Sequence, residues 1–600
     1  MDRLAEIESP EDLRRLGRDE LAPLARELRD YLIEVGTEIG GHFAGSLGTV
    51  ELTIALHYLL DTPRDRIVWD VGHQGYGHKV LTGRREALRQ IKRPGGPSGF
   101  LRRSESEYDA FGAGHAGTSV SAGLGLVEAS RRQGRGTRVV AILGDGAATA
   151  GMSFEGLNHT GEIQAPLHIV YNDNGMSIAP SVGGLARTGA ARSYFEALRL
   201  RYLGPVDGHD LAALLPAVEE LLATPGPTVL HVRTRKGRGY DPAEADPYRW
   251  HATTPFDRSS GVRTTSPAGP PSWTSVFSEA LSRLADRDPR VVAITAAMPD
   301  GTGLDRFALR HPDRMYDVGI AEQHAVGFAA GLAAEGLRPV CAIYSTFLQR
   351  AYDQIIHDVA LQRLPVVFAL DRAGLVGADG PTHHGVFDLG YLRMIPNLVV
   401  AAPRNEPELQ RLLGTAVDSG RPFALRFPRG PATGKALEER PEPLEIGSAQ
   451  VLRAGSDVAL VGLGKTLDTI ERAAATLASE GISAQVIDAR FVKPLDRETL
   501  GAAARHCGHV VTVEDHAALG GLGSAVLELL ASEAPHAQVR IHGLPDHFVE
   551  HGQVDAQWRD AQIDAESVAN ATRLWLDGAR DPRRRTLRAP RLQRGSTLGR

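Results

Sequence analysis

Residues 139–174 constrain the fold of this 600-residue chain more than any other stretch. An apolar run at 139–143 leads into the turn Gly144-Asp145-Gly146, and a second run at 167–171 leads into Asn172-Asp173-Asn174. The pattern predicts strand, turn, helix, strand and turn. Both polar turns then follow the carboxyl ends of strands, which is where open α/β sheets bind their ligands.

The side chains in these two turns indicate what the ligand is. The carboxylate of Asp145 and the amide oxygen of Asn174 are oxygen ligands of the kind that Mg²⁺ prefers in proteins. The flanking glycines allow the backbone to approach phosphate oxygens closely. The segment therefore predicts a site for a metal and a diphosphate, although Gly-Asp-Gly also occurs in ordinary structural turns and that alternative stays open here.

Bulk composition excludes several classes of function. The net charge is −6 with acidic and basic residues interspersed, which argues against a nucleic-acid-binding surface. Two cysteines are too few for a disulfide framework or a cysteine zinc site, and they favour a reducing compartment. Since no run of about 18 apolar residues occurs, neither a membrane span nor an export signal is predicted, and the expected location is the cytoplasm.

Composition also divides the chain. Stretches rich in Ser, Thr, Gly and Pro at 257–272 and 428–443 separate segments in which strand and helix patterns alternate. We therefore predict three doubly wound, mostly parallel α/β domains, each with a sheet of its own. They span residues 1–265, 272–432 and 443–577, and a disordered basic tail follows at 578–600.

Further candidate ligand-binding residues lie in glycine-rich turns of the first segment. His42 and His73 both occur in such turns, where a histidine either faces a ligand or satisfies local backbone groups. The hydroxyls of 113–123 could cap the following helix and leave N–H groups free for phosphate oxygens. Lys236, in a basic loop after an apolar strand, is either a phosphate ligand or part of a solvated charge run.

Two more motifs carry a family resemblance. Ala321-Glu322-Gln323-His324 opens a predicted helix, and Tyr344-Ser345-Thr346-Phe347 follows a predicted strand. With the two polar turns, these motifs resemble the 1-deoxy-D-xylulose-5-phosphate synthases, thiamine diphosphate (ThDP) enzymes of the transketolase superfamily. The resemblance extends to about residue 577. It implies a transketolase-like fold, ThDP and Mg²⁺ as cofactors, pyruvate and glyceraldehyde 3-phosphate as substrates, and a homodimer.

The resemblance also implies a role for each matching residue. The implied catalytic residues are Glu322, His42, His73, His251, Asp379 and His383. The implied cofactor contacts are His73, Gly114, His115, Ala116, Gly146, Ala147, Asn174, Lys236, Tyr240, Glu322 and Phe347. The implied metal ligands are Asp145, Asn174 and Met176, and the implied substrate contacts are Tyr344, Arg350, Arg372 and Arg429.

The implied roles make chemical sense. Glu322 is expected to hydrogen-bond the aminopyrimidine of the cofactor and Phe347 to stack on it, while the cofactor supplies the difficult chemistry. Arg372 and Arg429 are expected to hold the substrate phosphate, because a guanidinium matches phosphate geometry. Histidines and Asp379 are expected to orient substrates or to move protons.

Two alternatives remain at this point. The chain could be another ThDP-dependent transketolase-type enzyme that uses a different acceptor aldehyde or a ketose phosphate, because Gly175 and Ala116-Gly117 depart from the usual family residues. It could also be a non-catalytic binding paralogue. The presence of Glu322, Asp145 and Asn174 together argues against this second alternative.

Overall fold

The structure, a computed structural model, describes residues 3–264 and 269–580. Its core is built from three mostly parallel sheets of five, seven and five strands, with helices between and around them. The predicted α/β class is thereby confirmed. Within the described ranges, no helix is both long and apolar enough to cross a bilayer.

The N-terminal sheet carries the two polar turns. Its strands, in spatial order, are Arg66–Trp69, Val139–Gly144, His168–Asp173, Thr228–Arg233 and Arg201–Asp207. All four neighbouring pairs are parallel. Gly144 pairs with Asn172, so the Gly-Asp-Gly and Asn-Asp-Asn turns leave the sheet side by side, as predicted.

Helices cover both faces of this sheet, which explains why its central strands are apolar on both sides. They are Pro10–Arg14, Leu21–Ile39, Phe43–Leu47, Val50–Leu59, Tyr76–Lys79, Arg85–Leu88, Ser119–Arg132, Asp145–Ala148, Gly151–Ile163, Gly184–Thr188, Ala191–Ala197, Leu211–Ala223 and Asp241–Ala245. A two-stranded antiparallel ribbon, Gly41–His42 with Ala252–Thr253, joins segments that are far apart in sequence.

The middle sheet includes one strand from the C-terminal part of the chain. Its order is Phe491–Lys493, Val399–Ala401, Phe423–Arg426, Val367–Asp371, Arg338–Tyr344, Val291–Thr295 and Met315–Asp317. The first of these runs antiparallel to Val399–Ala401, and the other pairs are parallel. The expectation that each segment forms a sheet of its own is therefore wrong at this strand, where the buried Phe491 belongs to the middle core.

The helices around the middle sheet include the one that Glu322 opens. They are Trp273–Arg287, Leu304–Arg310, Glu322–Ala334, Ser345–Leu348, Tyr352–Gln354, Asp388–Arg393 and Glu406–Asp418. The Ala- and Gly-rich helix Glu322–Ala334 packs closely on the strand Arg338–Tyr344. This packing fixes Glu322 at the carboxyl edge of the sheet.

The C-terminal sheet has the order Gln450–Arg453, Ala484–Asp488, Val458–Gly462, His509–Ala517 and Gln538–Leu544. Its helices are Thr466–Ser479, Arg497–Cys507, Leu522–Glu533, Val554–Asp560 and Ala565–Arg580. The last helix continues through residue 580, so a tail does not begin at 578 as predicted. Residues 581–600 of that tail, and residues 265–268 at the first predicted boundary, lie outside the described ranges.

Candidate active site

A cavity of about 720 Å³ lies between the N-terminal and middle sheets at their carboxyl ends. It brings together most of the residues that the sequence singled out. These are His42, His73, Gly114, Ala116, Asp145, Gly146, Ala147, Asn174, Met176, Lys236, His251, Glu322, Tyr344, Phe347, Arg350, Arg372, Asp379, His383 and Arg429. Of the predicted site residues, His115 and Tyr240 do not line it.

The corner formed by the two polar turns contains the predicted metal ligands. Asp145 is buried, its Oδ2 accepts a hydrogen bond from Ser181 Oγ at 2.7 Å, and its Oδ1 has no hydrogen-bond partner in the part of the chain that the structure describes. Asn174 Oδ1 accepts from the N–H of Met176 at 3.0 Å, which fixes the turn. Burial raises the pKa of Asp145 to about 6, and a nearby cation would favour the ionised form.

Glycine is required beside this corner. A Cβ atom on Gly146 would lie 2.6 Å from the Cβ of Ser177, so a side chain there would displace the loop that follows Met176. Lys236 also holds this loop, since its Nζ donates to Ser177 O at 2.7 Å. Burial lowers the pKa of Lys236 to about 8, and the Asp145 carboxylate opposes that shift.

Three imidazoles cluster on the floor of the cavity. The ring centres of His42 and His73 are 6.0 Å apart, those of His42 and His251 are 5.7 Å apart, and those of His73 and His251 are 5.0 Å apart. The antiparallel ribbon positions two of them, because it pairs His42 with Ala252 next to His251. Burial lowers the pKa of all three, that of His73 to about 3, so the cluster is neutral at pH 7.

Glu322 faces these groups from the middle sheet. Its side chain is buried, and its Oε2 has no hydrogen-bond partner among residues 3–264 and 269–580. Arg350 Nη1 lies 3.9 Å from that oxygen, and Arg350 Nη2 also donates to the carbonyl of Ala116 across the gap between the sheets. Burial raises the pKa of Glu322, and Arg350 opposes that rise.

Aromatic rings form the wall beside Glu322. The ring of Phe347 lies 5.6 Å from that of Tyr344 and is nearly parallel to it, and it meets His383 edge-on at 5.5 Å. His115 lies behind this wall, where its Nε2–H donates to Thr382 O at 2.7 Å and ties the two sheets together. Its side chain therefore supports Phe347 and does not face the cavity.

A second wall is lined with ion pairs, and one of its members was missed from the sequence. Asp379 Oδ1 accepts from Lys92 Nζ at 2.8 Å, and Asp379 Oδ2 accepts from Arg429 Nη1 at 3.1 Å. The cation of Lys92 holds the pKa of Asp379 well below its usual value, against the effect of burial. Lys92 does not itself line the cavity, and because it lies in a loop with no metal or phosphate motif, only the fold brings it against Asp379, which does.

Arg372 is held more tightly than Arg429. Its Nη1 is 3.0 Å from Thr274 Oγ1 and 2.8 Å from Asp371 Oδ2, and it also donates to Gly301 O. Its guanidinium lies over the Tyr344 ring at 4.1 Å. Arg429 makes two such contacts, to Val376 O and Asp379 Oδ2 at 3.1 Å each, and its side chain is 47% exposed. Arg429 is therefore the freer cation at this wall.

Two predicted cofactor contacts need correction. The N–H groups of Gly117 and Ser119 donate to the carboxylate of Asp70 at 2.7 and 3.0 Å, so they are not free for phosphate. Tyr240 packs among Phe43, Trp250 and Phe256, and its hydroxyl donates to Arg258 O at 3.1 Å. Tyr240 thus belongs to the core beneath the histidine cluster.

The unsatisfied atoms test whether a polar cofactor fits this cavity. Six buried polar atoms of residues that line it lack a hydrogen-bond partner within the described residues: His42 Nδ1, His73 Nδ1, Gln74 Oε1, Asp145 Oδ1, His251 Nδ1 and Glu322 Oε2. An unpaired buried polar group costs about 1–3 kcal/mol. The two carboxylate oxygens come from different sheets. Asp145 Oδ1 shares its end of the cavity with the oxygen atoms of Asn174 and Met176, and Glu322 Oε2 shares its end with the ring of Phe347. This arrangement fits a metal-bound diphosphate at one end and a nitrogen heterocycle at the other.

Comparisons with known proteins point to a single family. The family model described as 1-deoxy-D-xylulose-5-phosphate synthase matches residues 4–193 and 186–234. The transketolase pyrimidine-binding domain matches residues 269–433, and the transketolase C-terminal domain matches 447–568.

Curated relatives match over nearly the whole chain. A 1-deoxy-D-xylulose-5-phosphate synthase of Thermomicrobium roseum is 51% identical over 96% of this chain and 98% of the relative. Synthase 1 of Geobacter sulfurreducens is 49% identical over 95% and 97%, and the Thiobacillus denitrificans synthase is 50% identical over 94% and 97%. The chain therefore belongs to the 1-deoxy-D-xylulose-5-phosphate synthase family of the transketolase superfamily.

Proposed function

We propose that this chain is a ThDP-dependent transferase that decarboxylates pyruvate and joins the remaining two carbons to D-glyceraldehyde 3-phosphate. The products are 1-deoxy-D-xylulose 5-phosphate, a precursor for isoprenoids and for thiamine and pyridoxal, and CO₂. The observation that carries the proposal is the pair of unpaired buried oxygens, Asp145 Oδ1 and Glu322 Oε2, which reach one cavity from two different sheets. Membership of the family supports the choice of substrates.

The proposed cofactor would lie along the cavity, with its diphosphate at the end near Asp145 and its aminopyrimidine at the end near Glu322. Asp145, Asn174 and the carbonyl of Met176 would hold Mg²⁺, and the Gly146–Ala147 backbone with Lys236 would lie next to the diphosphate. Glu322 would hydrogen-bond the aminopyrimidine, against the ring of Phe347. When bound, ThDP supplies the electron sink that decarboxylation of a 2-keto acid requires.

The chain's own residues would supply orientation and protons. His42, His73 and His251 present neutral imidazoles that can donate or accept hydrogen bonds at the reacting atoms. Lys92 and Arg429, held by Asp379, place two cations against one carboxylate and so favour an anionic substrate. We assign the acceptor phosphate to the wall formed by Asp379 and Arg429, which we call the acceptor wall. Arg372, Tyr344, Arg350 and His383 line the same cavity.

The direct test is an assay of the purified protein with ThDP, Mg²⁺, pyruvate and glyceraldehyde 3-phosphate. We expect CO₂ and 1-deoxy-D-xylulose 5-phosphate in equal amounts, measured by mass spectrometry. A transketolase acting on ketose phosphates would release no CO₂, and a binding paralogue would form no product. Either result would refute the proposal.

Replacing Arg429 by alanine should raise the KM for glyceraldehyde 3-phosphate by about 10-fold or more, since a hydrogen bond to a charged group contributes about 1.5–3 kcal/mol. The KM for pyruvate should change much less. Steady-state kinetics with each substrate varied in turn provide the measurement. Arg421→Ala is the matched control, because the exposed Arg421 precedes the strand Phe423–Arg426 at the end away from the cavity. An unchanged aldehyde KM would remove Arg429 from the phosphate site.

The family also supports three proposals about the whole molecule. The chain would divide into three domains near residues 265 and 435, with the strand Phe491–Lys493 of the third completing the sheet of the second, and ThDP would lie between the first two. It would form a homodimer, which sedimentation at micromolar concentration can test. A cytoplasmic location is in keeping with its two cysteines, which are both buried and unpaired.

A further inference from the structure

We propose that His551, in the C-terminal part of the chain, is a positioning residue that holds Lys92 and Asp379 at the acceptor wall. Among the described residues, none after Arg429 lines the cavity. Residues 550–557 nevertheless lie between the two loops that carry the Lys92–Asp379 pair. The functional consequence of this arrangement rests on the proposed function, whereas the positioning itself does not.

On one side, residues 550 and 551 hold the loop of residues 92–102 in the N-terminal part of the chain. His551 Nε2–H lies 3.1 Å from both Arg93 O and Gly96 O, and its ring is buried. Since both partners are carbonyls, Nε2 must carry the proton. Next to it, Glu550 accepts from both terminal nitrogens of the Arg102 guanidinium, with Nη2 to Oε1 at 2.6 Å. The loop that begins at Lys92 is thus anchored to the C-terminal segment.

On the other side, the same segment holds the loop of residues 372–379, which follows the middle-sheet strand Val367–Asp371 and ends at Asp379. The N–H of Gly552 donates to Gly377 O at 3.4 Å, and Gln557 Nε2 donates to Gly377 O at 3.3 Å and to Glu550 O at 2.7 Å. A Cβ atom on Gly380 would lie 3.0 Å from the Cβ of His551, so the two backbones approach closely. One short segment therefore sets the distance between the two loops.

Lys92 depends on this anchor because its own conformation is unfavourable. Its φ is +63°, in the left-handed region that residues other than glycine seldom adopt. Two contacts fix it there within its own loop: its N–H donates to Pro97 O at 2.8 Å, and its side chain passes over Gly99, where a Cβ would lie 2.3 Å from Lys92 Cε. The two carbonyls that His551 binds belong to the same turn.

Loss of the His551 hydrogen bonds should therefore release this turn. Lys92 could then relax to an ordinary backbone conformation, and its ammonium group would move away from Asp379. The acceptor wall would lose the cation that supports Asp379 although no residue that lines it had been changed. Strain of this kind persists only where the surroundings impose it.

The experiment compares His551→Ala, His551→Gln, Lys92→Met and the double variant His551→Ala/Lys92→Met. We expect His551→Ala to lower kcat/KM for glyceraldehyde 3-phosphate by about 10-fold, since a misplacement of 1 Å from a remote mutation can cost about 10²-fold. Glutamine can return an N–H near the position of Nε2, so His551→Gln should recover most of the loss. The double variant should be no worse than Lys92→Met, because both changes remove the same interaction.

The matched control is His542→Ala, since the contact of His542 to Gln562 O at 3.3 Å lies within the C-terminal part itself. Full additivity in the double variant, or an equal loss in His542→Ala, would overturn the proposal.

Hydrogen exchange without cofactor provides a readout that does not depend on activity. In His551→Ala, a peptide spanning 90–98 should exchange at least about 10-fold faster than in the wild type, while the central strand at 139–144 keeps its protection. Unchanged exchange at 90–98 would overturn the positioning role. If the wild-type protein made no product, the proposed function would fail, and the exchange result would still decide the positioning role.

Discussion

Replacement of Glu322 by alanine should lower kcat by about 10³-fold or more and leave the affinity for Mg²⁺ and ThDP within about 10-fold of the wild type. Positioned acids and bases typically contribute about 10²–10⁴-fold to a rate. Glu322 reaches the cavity from the middle sheet, whereas Asp145 and Asn174 reach it from the N-terminal sheet. The metal and diphosphate contacts should therefore survive the change. Steady-state kinetics and titration calorimetry with ThDP and Mg²⁺ measure the two quantities.

Two further variants test this assignment. Glu322→Gln keeps the size of the side chain and removes its charge, so a similar loss of kcat would assign the effect to the carboxylate. Glu335→Ala changes an exposed carboxylate just after the same helix and should leave both quantities unchanged. If Glu322→Ala lost cofactor affinity and kcat to the same extent, the proposed role would be wrong, because the loss would then be one of binding.

Replacement of His42 by alanine should slow product formation by about 10²-fold, the usual contribution of a positioned acid or base. We assign His42 to the second half of the reaction, in which the oxygen of the acceptor aldehyde must gain a proton. The loaded variant should still take up labelled pyruvate. Rapid quench with pyruvate alone, and then with the aldehyde added, separates the two halves.

The pKa of His42 adds a prediction about pH. Burial lowers it well below 6.5, and the cation of Lys92 lowers it further. Because the neutral form is then present throughout the range from pH 6 to 8, the wild-type rate should show no inflection from His42 there.

In the rapid-quench experiment, a His42→Ala variant unable to take up pyruvate would place His42 in the first half of the reaction. An undiminished rate of product formation would leave His42 a structural turn residue.

The corner formed by the two polar turns and the helix start at Glu322 could be predicted from short local patterns, whereas the role expected of Glu322 comes from the family resemblance. The turn at Gly144–Gly146 follows an apolar strand, and the register of parallel strands then places Asn172 opposite Gly144. Glu322 begins a helix whose small residues allow close packing on the sheet. In both places the local sequence and the tertiary fold require the same arrangement.

Other parts of the site depend on contacts between distant segments. The ribbon that pairs His42 with Ala252 has only two residues in each strand, which is too short for a periodic signal. Asp70, in the turn after the strand Arg66–Trp69, accepts from the first N–H of the helix Ser119–Arg132, so the hydroxyls near that helix do not have the capping role that the sequence predicts. Lys92 carries no motif, and its position follows from the packing of three segments of the chain.

The strand Phe491–Lys493 has a consequence for the order in which the protein can mature on the ribosome. Until this strand is synthesised, Val399–Ala401 is an unpaired sheet edge, and the core around Phe423 lacks the Phe491 ring, 6.4 Å away in the finished structure. Exposed edges of this kind favour aggregation. The middle sheet, which carries Glu322, therefore cannot gain its seventh strand before about residue 493 has left the exit tunnel, and until then the edge at Val399–Ala401 stays open.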